Sequence, residues 1–490
     1  MPRKSPRLAA KKSTKKRTTS PSPKKRASTK RATHETFHYE FGGPIGAFFT
    51  MVSLPIVVYG LYFGCSGSYC ANLENWQNFP IPSSLEELWD TNAFLYTCGW
   101  IGLHVALERC LPGEVAEGVK LKDGSRLKYP LNGHLAFWIS LAVMIFTPNF
   151  DSEGSASGTL FDLSYVYDHY IHLATAALVI AVVMTVYLYV RSFREGAVLA
   201  PHGDSGNFVY DAFIGRELNP RVMKNFDLKY FFELRPGLVG WALINVGCLV
   251  KQYQLRGHVT GAMILVNLFQ GLYVWDALFN ERAILTTMDI INDGFGYMLA
   301  FGDVCWVPFT YSLQARYLVE HDGASGTTLI AIAILNAVGY WIFRGSNGQK
   351  DAFRRDPEGE SVKHLETLTT KAGRKLIVSG WWGMARKINY TGDWIMGLSW
   401  CLYVVCEREA REFQSHHAFD CHLSRECHSN HTRISIVSLM YLQESHSNTN
   451  SRMHTLISRT RTQVLRIRFH YPLLLCHLLC DSLDSSCIPR

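Results

Sequence analysis

Eight ionisable residues, Arg216, Glu217, Arg221, Lys224, Asp227, Lys229, Glu233 and Arg235, crowd into DAFIGRELNPRVMKNFDLKYFFELRPGLVGW (Asp211–Trp241). Phe213, Phe226, Tyr230, Phe231 and Phe232 are interleaved with them, and apolar stretches lie on both sides. Charges at a membrane boundary are costly unless they pair or face a polar cavity, so this density points to a site. A loop of solvated charges is the alternative. A second constellation, Leu285–Leu318, sets Asp289, Asp293 and Asp303 in sequence otherwise fit for a bilayer, which points to a cavity lined by carboxylates. Its Gly294, Gly296 and Gly302 lack the spacing and the βαβ context of a dinucleotide fingerprint, and close helix packing through small residues accounts for them better. The third runs from Ser346 to Asp393. Lys350 and Arg354 lie one helical turn apart and would point the same way. Arg binds two phosphate oxygens with its planar fork, and Lys adds a point charge. Downstream, Trp382 and Tyr390 offer flat surfaces, with Asn389 and Asp393 as polar handles. Phosphate donors followed by aromatic faces and an amide suit a phosphorylated nucleotide held outside any Rossmann fold. Basic residues beside a membrane that serve only topology are the alternative.

The elements that must position these groups are membrane helices. The chain has 490 residues, 48% hydrophobic and 13% aromatic, and apolar runs near the bilayer-spanning length of about 20 residues recur along it. They read as Ala47–Cys65, Asn92–Leu107, His134–Thr147, Ile171–Val190, Leu238–Val250, Val259–Phe279, Gly296–Leu313, Thr327–Phe343 and Asp393–Cys406. The expected fold is all-α, a polytopic membrane bundle of about nine to ten transmembrane helices. No cleavable signal peptide is expected before the first run, because the leading segment is long, basic and without a small-residue cleavage pattern.

Charge sets the orientation. The segment up to Arg31 carries 13 of the 49 Lys and Arg and no acid; as the whole chain is only +8, the remainder is net acidic. By the positive-inside rule this end is cytosolic or nucleoplasmic. Counting spans forward puts Pro148–Tyr170, which lacks Lys and Arg, on the far side, and the basic stretch Arg344–Tyr390 on the cytosolic side. Residues 1–36 form a basic low-complexity tail too poor in apolar residues to fold. Its charge suits orientation and anionic lipid, and a weak polyanion or nucleic-acid contact through residues 3–31, where Ser22-Pro23-Lys24-Lys25 lies, is the other reading. Cys65 and Cys70 flank a loop on the far side, where a disulfide is allowed.

Several motifs are distinctive: HYEFGGPIGA (His38–Ala47), LPGEVAEGVKLKDGSRLKYPLNG (Leu111–Gly133), SGNFVYDAFIGRELNPR (Ser205–Arg221), FFELRPG (Phe231–Gly237), LTTMDIINDGFGYMLAFGD (Leu285–Asp303), WVPFTYSLQARYL (Trp306–Leu318), SGWWGMARKINYTGDW (Ser379–Trp394) and GLSWCL (Gly397–Leu402). On these the chain resembles the membrane-bound sterol reductases, above all the fungal-type Δ14-sterol reductases, over roughly residues 38–404. The resemblance implies a bundle of about ten membrane helices in the endoplasmic reticulum membrane or the inner nuclear membrane. It implies NADPH bound on the cytosolic side in the C-terminal half, and a sterol entering from the membrane. Reduction at the 24(28) or 7 position is an alternative within the family. A nuclear-envelope tether, with a chromatin- or lamin-binding tail on an inactive reductase body, is an alternative outside it.

Carried over motif by motif, the implied cofactor residues are Lys350, Arg354, Ile377, Trp382, Asn389 and Tyr390. The implied reaction in sterol biosynthesis puts a proton on C15 and hydride on C14 through a tertiary carbocation. An acid must therefore stand across the ring from the nicotinamide. Glu233, Tyr273 and Asp276 are the candidates, with Asp293 next. For Glu233 the alternative is a structural carboxylate paired with Arg235 or Arg216. No metal is implied.

The reductase body is expected over residues 37–406. After Cys406 the sequence departs from the family's HRxxRDExxCxxKYG-type segment and becomes rich in Ser, His, Arg and Cys. Cys421-His422 and Cys427-His428 match no standard zinc spacing. Residues 407–490 are expected to be a divergent tail, disordered or translated out of frame, that leaves the nucleotide pocket incomplete.

Overall fold

The computed structural model describes residues 37–415 apart from 38, 67–68, 71–75, 122–123, 151–155, 160–161, 224, 371–372 and 374. The basic tail, the sequence beyond 415 and Lys224 lie outside the described residues.

All nine apolar segments are helical. Continuous helices run over Gly43–Gly64, Thr91–Cys110, Gly133–Phe146, Tyr170–Arg191, Pro236–Arg256, Gly261–Phe279, Gly326–Arg355 and Ile388–Ser415. Polar residues at their starts fix several of them. Asp90 accepts from Asn92 N, and Thr260 from Met263 N, each filling a backbone donor that the first turn leaves open. Among the described residues four helices are long and apolar enough to cross a membrane: Gly43–Gly64, Tyr170–Arg191, Gly261–Phe279 and Gly326–Arg355. The fold is that of a multi-pass membrane protein.

The segment expected as one helix over Gly296–Leu313 is broken. Tyr297–Phe301 leads into a π turn at Gly302–Trp306, then Val307–Tyr311 and Leu313–Glu320. Such turns widen a helix by one residue and cluster at functional sites; this one carries Asp303.

Five two-stranded antiparallel ribbons, which an all-α reading leaves out, join the helices on the described residues. The longest pairs Glu114–Lys120 with Arg126–Leu131. A second pairs Thr367–Thr369 with Lys375–Ile377. A third sets Cys65, which is disulfide-bonded, opposite Cys70.

The core gathers Tyr230, Leu234, Trp241, Val274, Leu278 and Trp400 from four helices. Two close approaches hold the cytosolic loops. Gly215, at φ +90°, crosses the backbone of Gly294–Gly296 so tightly that a Cβ there would lie 2.4 Å from Gly296 N. Glycine alone tolerates both the φ and the contact. Gly294 and Gly296 thus serve a loop-on-loop crossing rather than helix packing, and Gly302 has open space beside it. Gly215→Ala should sharply lower the yield of monodisperse protein in detergent, whereas Gly60→Ala, at a position with no neighbour within 4 Å, should not. Size-exclusion profiles of the two variants check this. At Gly237 a Cβ would lie 1.7 Å from the carbonyl oxygen of Asp303, so this glycine lets the Pro236–Arg256 helix start directly against the π turn.

Candidate functional site

The charge cluster of the first motif divides into two separate arrangements. In one, Arg235 is fully buried and reaches Glu108 at 3.4 Å, Glu281 at 3.1 Å and Asn132 at 2.8 Å. Tyr230 donates to Glu281 at 2.6 Å, and Gly133 N at 2.9 Å. Burial is the main influence on Glu281 and pushes its carboxyl up; Arg235 opposes it. This knot ties four segments together and leaves Arg235 engaged. Arg216 is engaged too, with Asp204 at 2.6 Å. The structural pairing considered for Glu233, with Arg235 or Arg216, is therefore not formed.

Glu233 belongs to the other arrangement. Asp227 caps the helix Leu228–Leu234 through Tyr230 N and is held by Arg221 at 3.3 Å. Two residues on, the fully buried Lys229 donates to the carbonyls of Asp289, Ile290 (3.2 Å) and Asp293 (2.7 Å). A further turn places Glu233, whose Oε2 is shut off from solvent with no hydrogen-bond partner among the described residues. Burial pushes its carboxyl well up, Asp289 and Asp303 add to this, and Lys229 opposes it. Asp293 is raised to about 6, chiefly by burial, while its bond from Asn292 works the other way. Asp289, Asp293 and Asp303 are each only partly covered.

The C-terminal half carries the second group of candidate residues. The helix Gly326–Arg355 has 30 residues, about 45 Å at 1.5 Å per residue, longer than the bilayer's hydrocarbon core of about 30 Å. Its charged end therefore extends beyond the bilayer. It packs along Ile388–Ser415, and a Cβ on Gly339 would lie 2.9 Å from the Gly392 carbonyl oxygen. Lys350 stands over the Trp382 ring at 5.1 Å, a cation–π contact, and Trp382 Nε1 donates to the Ser346 carbonyl at 3.1 Å. The buried Asn389 donates to Asn347 at 3.4 Å. Tyr390 keeps 40% of its surface exposed, under Lys387 and within electrostatic reach of Asp289 and Asp393. That reach links the two halves of the site. Arg354, although on the same side of the helix as Lys350, turns to Thr286 at 3.2 Å, and the half-covered Ile377 lies on the Thr367–Ile377 ribbon.

The other two acid candidates sit on Gly261–Phe279. Tyr273 is packed among Trp241, Phe343 and Trp400, with ring centroids 5.5–6.2 Å away. Asp276 is held by Arg344 at 3.3 Å and accepts from Tyr340 at 3.1 Å and Asn280 at 3.2 Å. Arg344 and Tyr340 both lie on Gly326–Arg355, so Asp276 ties Gly261–Phe279 to that helix and serves as a brace between the two. Arg344, Tyr340 and Asn347, which hold Asp276 and Asn389, were not singled out for chemistry in the sequence, and Lys229 was named there only as one of the eight charges of the first motif.

The profile of the ergosterol biosynthesis ERG4/ERG24 family matches residues 35–439. The chain belongs to this family. It is 46% identical over 365 residues to "Delta(14)-sterol reductase TM7SF2" of Mus musculus, covering 74% of this chain and 84% of that protein. It is 44% identical over 379 residues to the "Delta(14)-sterol reductase" of Ascobolus immersus, covering 74% and 86%. Identity is also 44%, over 409 residues, to "Delta(14)-sterol reductase LBR" of Gallus gallus, covering 78% of this chain but 61% of that longer protein.

Proposed function

We propose that this protein is an NADPH-dependent Δ14-sterol reductase, a bundle of nine to ten spans in the endoplasmic reticulum membrane. Relatives named for that activity, at 41–46% identity, support the reading. The donor set fits the cofactor: Lys350 and Arg354 bring two cations for phosphate, Trp382 and Tyr390 two aromatic faces, and Asn389 an amide, with Ile377 at the rim. Bound NADPH supplies hydride to C14. The chain's own part is to present a proton to C15 from the opposite side, and Glu233 is the residue for it. One observation carries this assignment: Glu233 Oε2 is shut off from water, the side chain pairs with neither neighbouring arginine, and Asp289 and Asp303 stand near it, conditions that favour the protonated form of a carboxyl. Asp276, fixed by Arg344, braces the helix bearing Tyr273 against the helix bearing Lys350.

The sequence from Glu407 onward lacks the apolar run that would enclose the nucleotide, and water competes for each phosphate contact. The 490-residue chain is therefore expected to turn over little, and a family-type end grafted onto Leu402 to restore activity. Microsomes carrying that graft should reduce a Δ8,14-sterol with NADPH and much more slowly with NADH. Equal rates with both would remove the phosphate-reading role of Lys350 and Arg354. Reduction confined to a 7- or 24(28)-unsaturated sterol would move the chain to another branch of the family.

Within that surface, Arg354→Ala should weaken NADPH binding by roughly 1.5–3 kcal/mol, the loss of one charge-assisted bond. Apparent affinity for the sterol should stay as it was. Titration of NADPH fluorescence against the variant checks the first part, and a change confined to the sterol's affinity would mean the cofactor lies elsewhere.

A further inference from the structure

Lys229 is the one buried cation of the site that the reaction does not itself require. Its ammonium donates to three carbonyl oxygens, those of Asp289, Ile290 and Asp293. Three donations use the three N–H bonds of an ammonium ion; burial works against that charge, and Asp227, Glu233, Asp293 and Asp289 work for it. Burying that charge without purpose would be expensive, and a leucine would pack the same space. What the charge does is geometric. It ties the 288–293 turn, from which Asp289 and Asp293 project, to the helix Leu228–Leu234, on which Glu233 lies four residues further along the same face. The turn is pinned independently at its far end by the crossing of Gly215 with Gly294 and Gly296, and Phe295 N donates to the Glu217 carbonyl at 3.0 Å. The Gly237 approach fixes Asp303 against the next helix. Of these restraints, Lys229 alone brings a charge.

We propose that Lys229 is a positioning residue for sterol reduction: its ammonium holds the carboxylate-bearing turn against the helix of Glu233 and so fixes the environment in which Glu233 keeps its proton. The proposal rests on Glu233 as the acid. The ionisable groups around Glu233 are Asp289 on the turn, Asp303 on the π turn, and Lys229 and Asp227 on its own segment. Around Lys229 they are Asp227, Glu233, Asp289 and Asp293, and Glu40 faces Asp293 from the N-terminal segment. Lys229 opposes the upward push on Glu233, while Arg221 is engaged with Asp227. Removing it should raise the pH at which Glu233 ionises and let the turn shift.

The test reads the carboxyl directly and needs no turnover. The full 490-residue chain is placed in lipid nanodiscs, and the infrared carbonyl stretch of buried protonated carboxyl groups is followed against pH. The part lost in Glu233→Gln identifies the Glu233 band. Lys229→Met should move the midpoint of that band to higher pH and broaden it. Lys229→Arg, which keeps the charge, should leave the midpoint near that of the parent chain while displacing the band's frequency, because a planar fork cannot make the same three bonds. Should Lys229→Met not fold, the Arg variant decides alone: a displaced band supports the proposal, and an unchanged one overturns it. A Met variant that folds with an unmoved midpoint and width also overturns it. A spectrum in which Glu233→Gln removes no band shows instead that Glu233 is not protonated, which is failure of the underlying acid assignment and a separate result.

Discussion

Glu233→Gln, in the chain carrying a family-type C-terminus, is expected to lower the rate of sterol reduction by about 10²–10⁴-fold, the usual contribution of a positioned acid. The amide has the shape of the acid but no proton to give. NADPH binding should stay near normal, because Lys350, Trp382, Asn389 and Tyr390 belong to the second group of candidate residues. The pH dependence carries the sign of the argument. Glu233 works in its protonated form, and burial with Asp289 and Asp303 raises its ionisation pH. The rate should therefore be level at lower pH and fall as pH rises through that elevated value. Asp293, titrating at about 6, lies between the two regimes, and Asp293→Asn should alter the profile without abolishing turnover. Stopped-flow absorbance of NADPH across pH resolves both. A Glu233→Gln enzyme with full activity would transfer the role to Tyr273.

The largest effect on stability belongs to Arg235. Its guanidinium is wholly buried and answers two carboxylates, Glu108 and Glu281, and the amide oxygen of Asn132. Arg235→Met would fill much of the space but leave both acids without their counter-ion. Removing one partner of a buried ionic group typically costs 3–5 kcal/mol, mostly because the remaining charge has nowhere to go. A marked fall in thermal unfolding temperature in detergent is expected, with Tyr230 and Gly133 still donating to Glu281 and limiting the loss. Arg235→Lys should recover only part, since an ammonium lacks the fork that reaches three acceptors in fixed directions. Unchanged melting in Arg235→Met would mean that the two acids are protonated in the folded protein and need no cation.

The helices were legible in the sequence because a membrane demands long apolar runs, and those runs sit where the helices are. The carboxylates of Leu285–Leu318 were legible for the converse reason: an acid in apolar sequence has to face something polar. What spacing does not reveal is which charge meets which. Glu108 and Arg235 are 127 positions apart, and Glu281 lies 46 beyond Arg235, so only the fold brings them together. Glu233 and Arg235, two apart on the chain, diverge because one ends its helix and the other begins the next. Lys229 stood out as one charge of the first cluster, but its partners, the carbonyls of Asp289, Ile290 and Asp293, lie 60 to 64 positions away, so its role was not legible. The glycines of Gly294 and Gly296 were noticed, but their partner Gly215 is some 80 residues away, and a crossing of loops leaves no periodic trace. The short ribbons were invisible for a similar reason: two to seven residues of pairing carry too little alternation to register.

The central claim is that a proton from the Glu233 side and a hydride from the Lys350–Tyr390 side meet across one double bond. The most direct measurement is the position of deuterium in the product. The grafted enzyme would be run once in D₂O with ordinary NADPH, and once in H₂O with NADPH deuterated at the transferable position. The account predicts solvent deuterium at C15 in the first product and cofactor deuterium at C14 in the second, on opposite faces of the ring, with the first run nearly abolished by Glu233→Gln. Solvent deuterium at C14, both labels on one face, or no reduction of a Δ14 bond at all would contradict it.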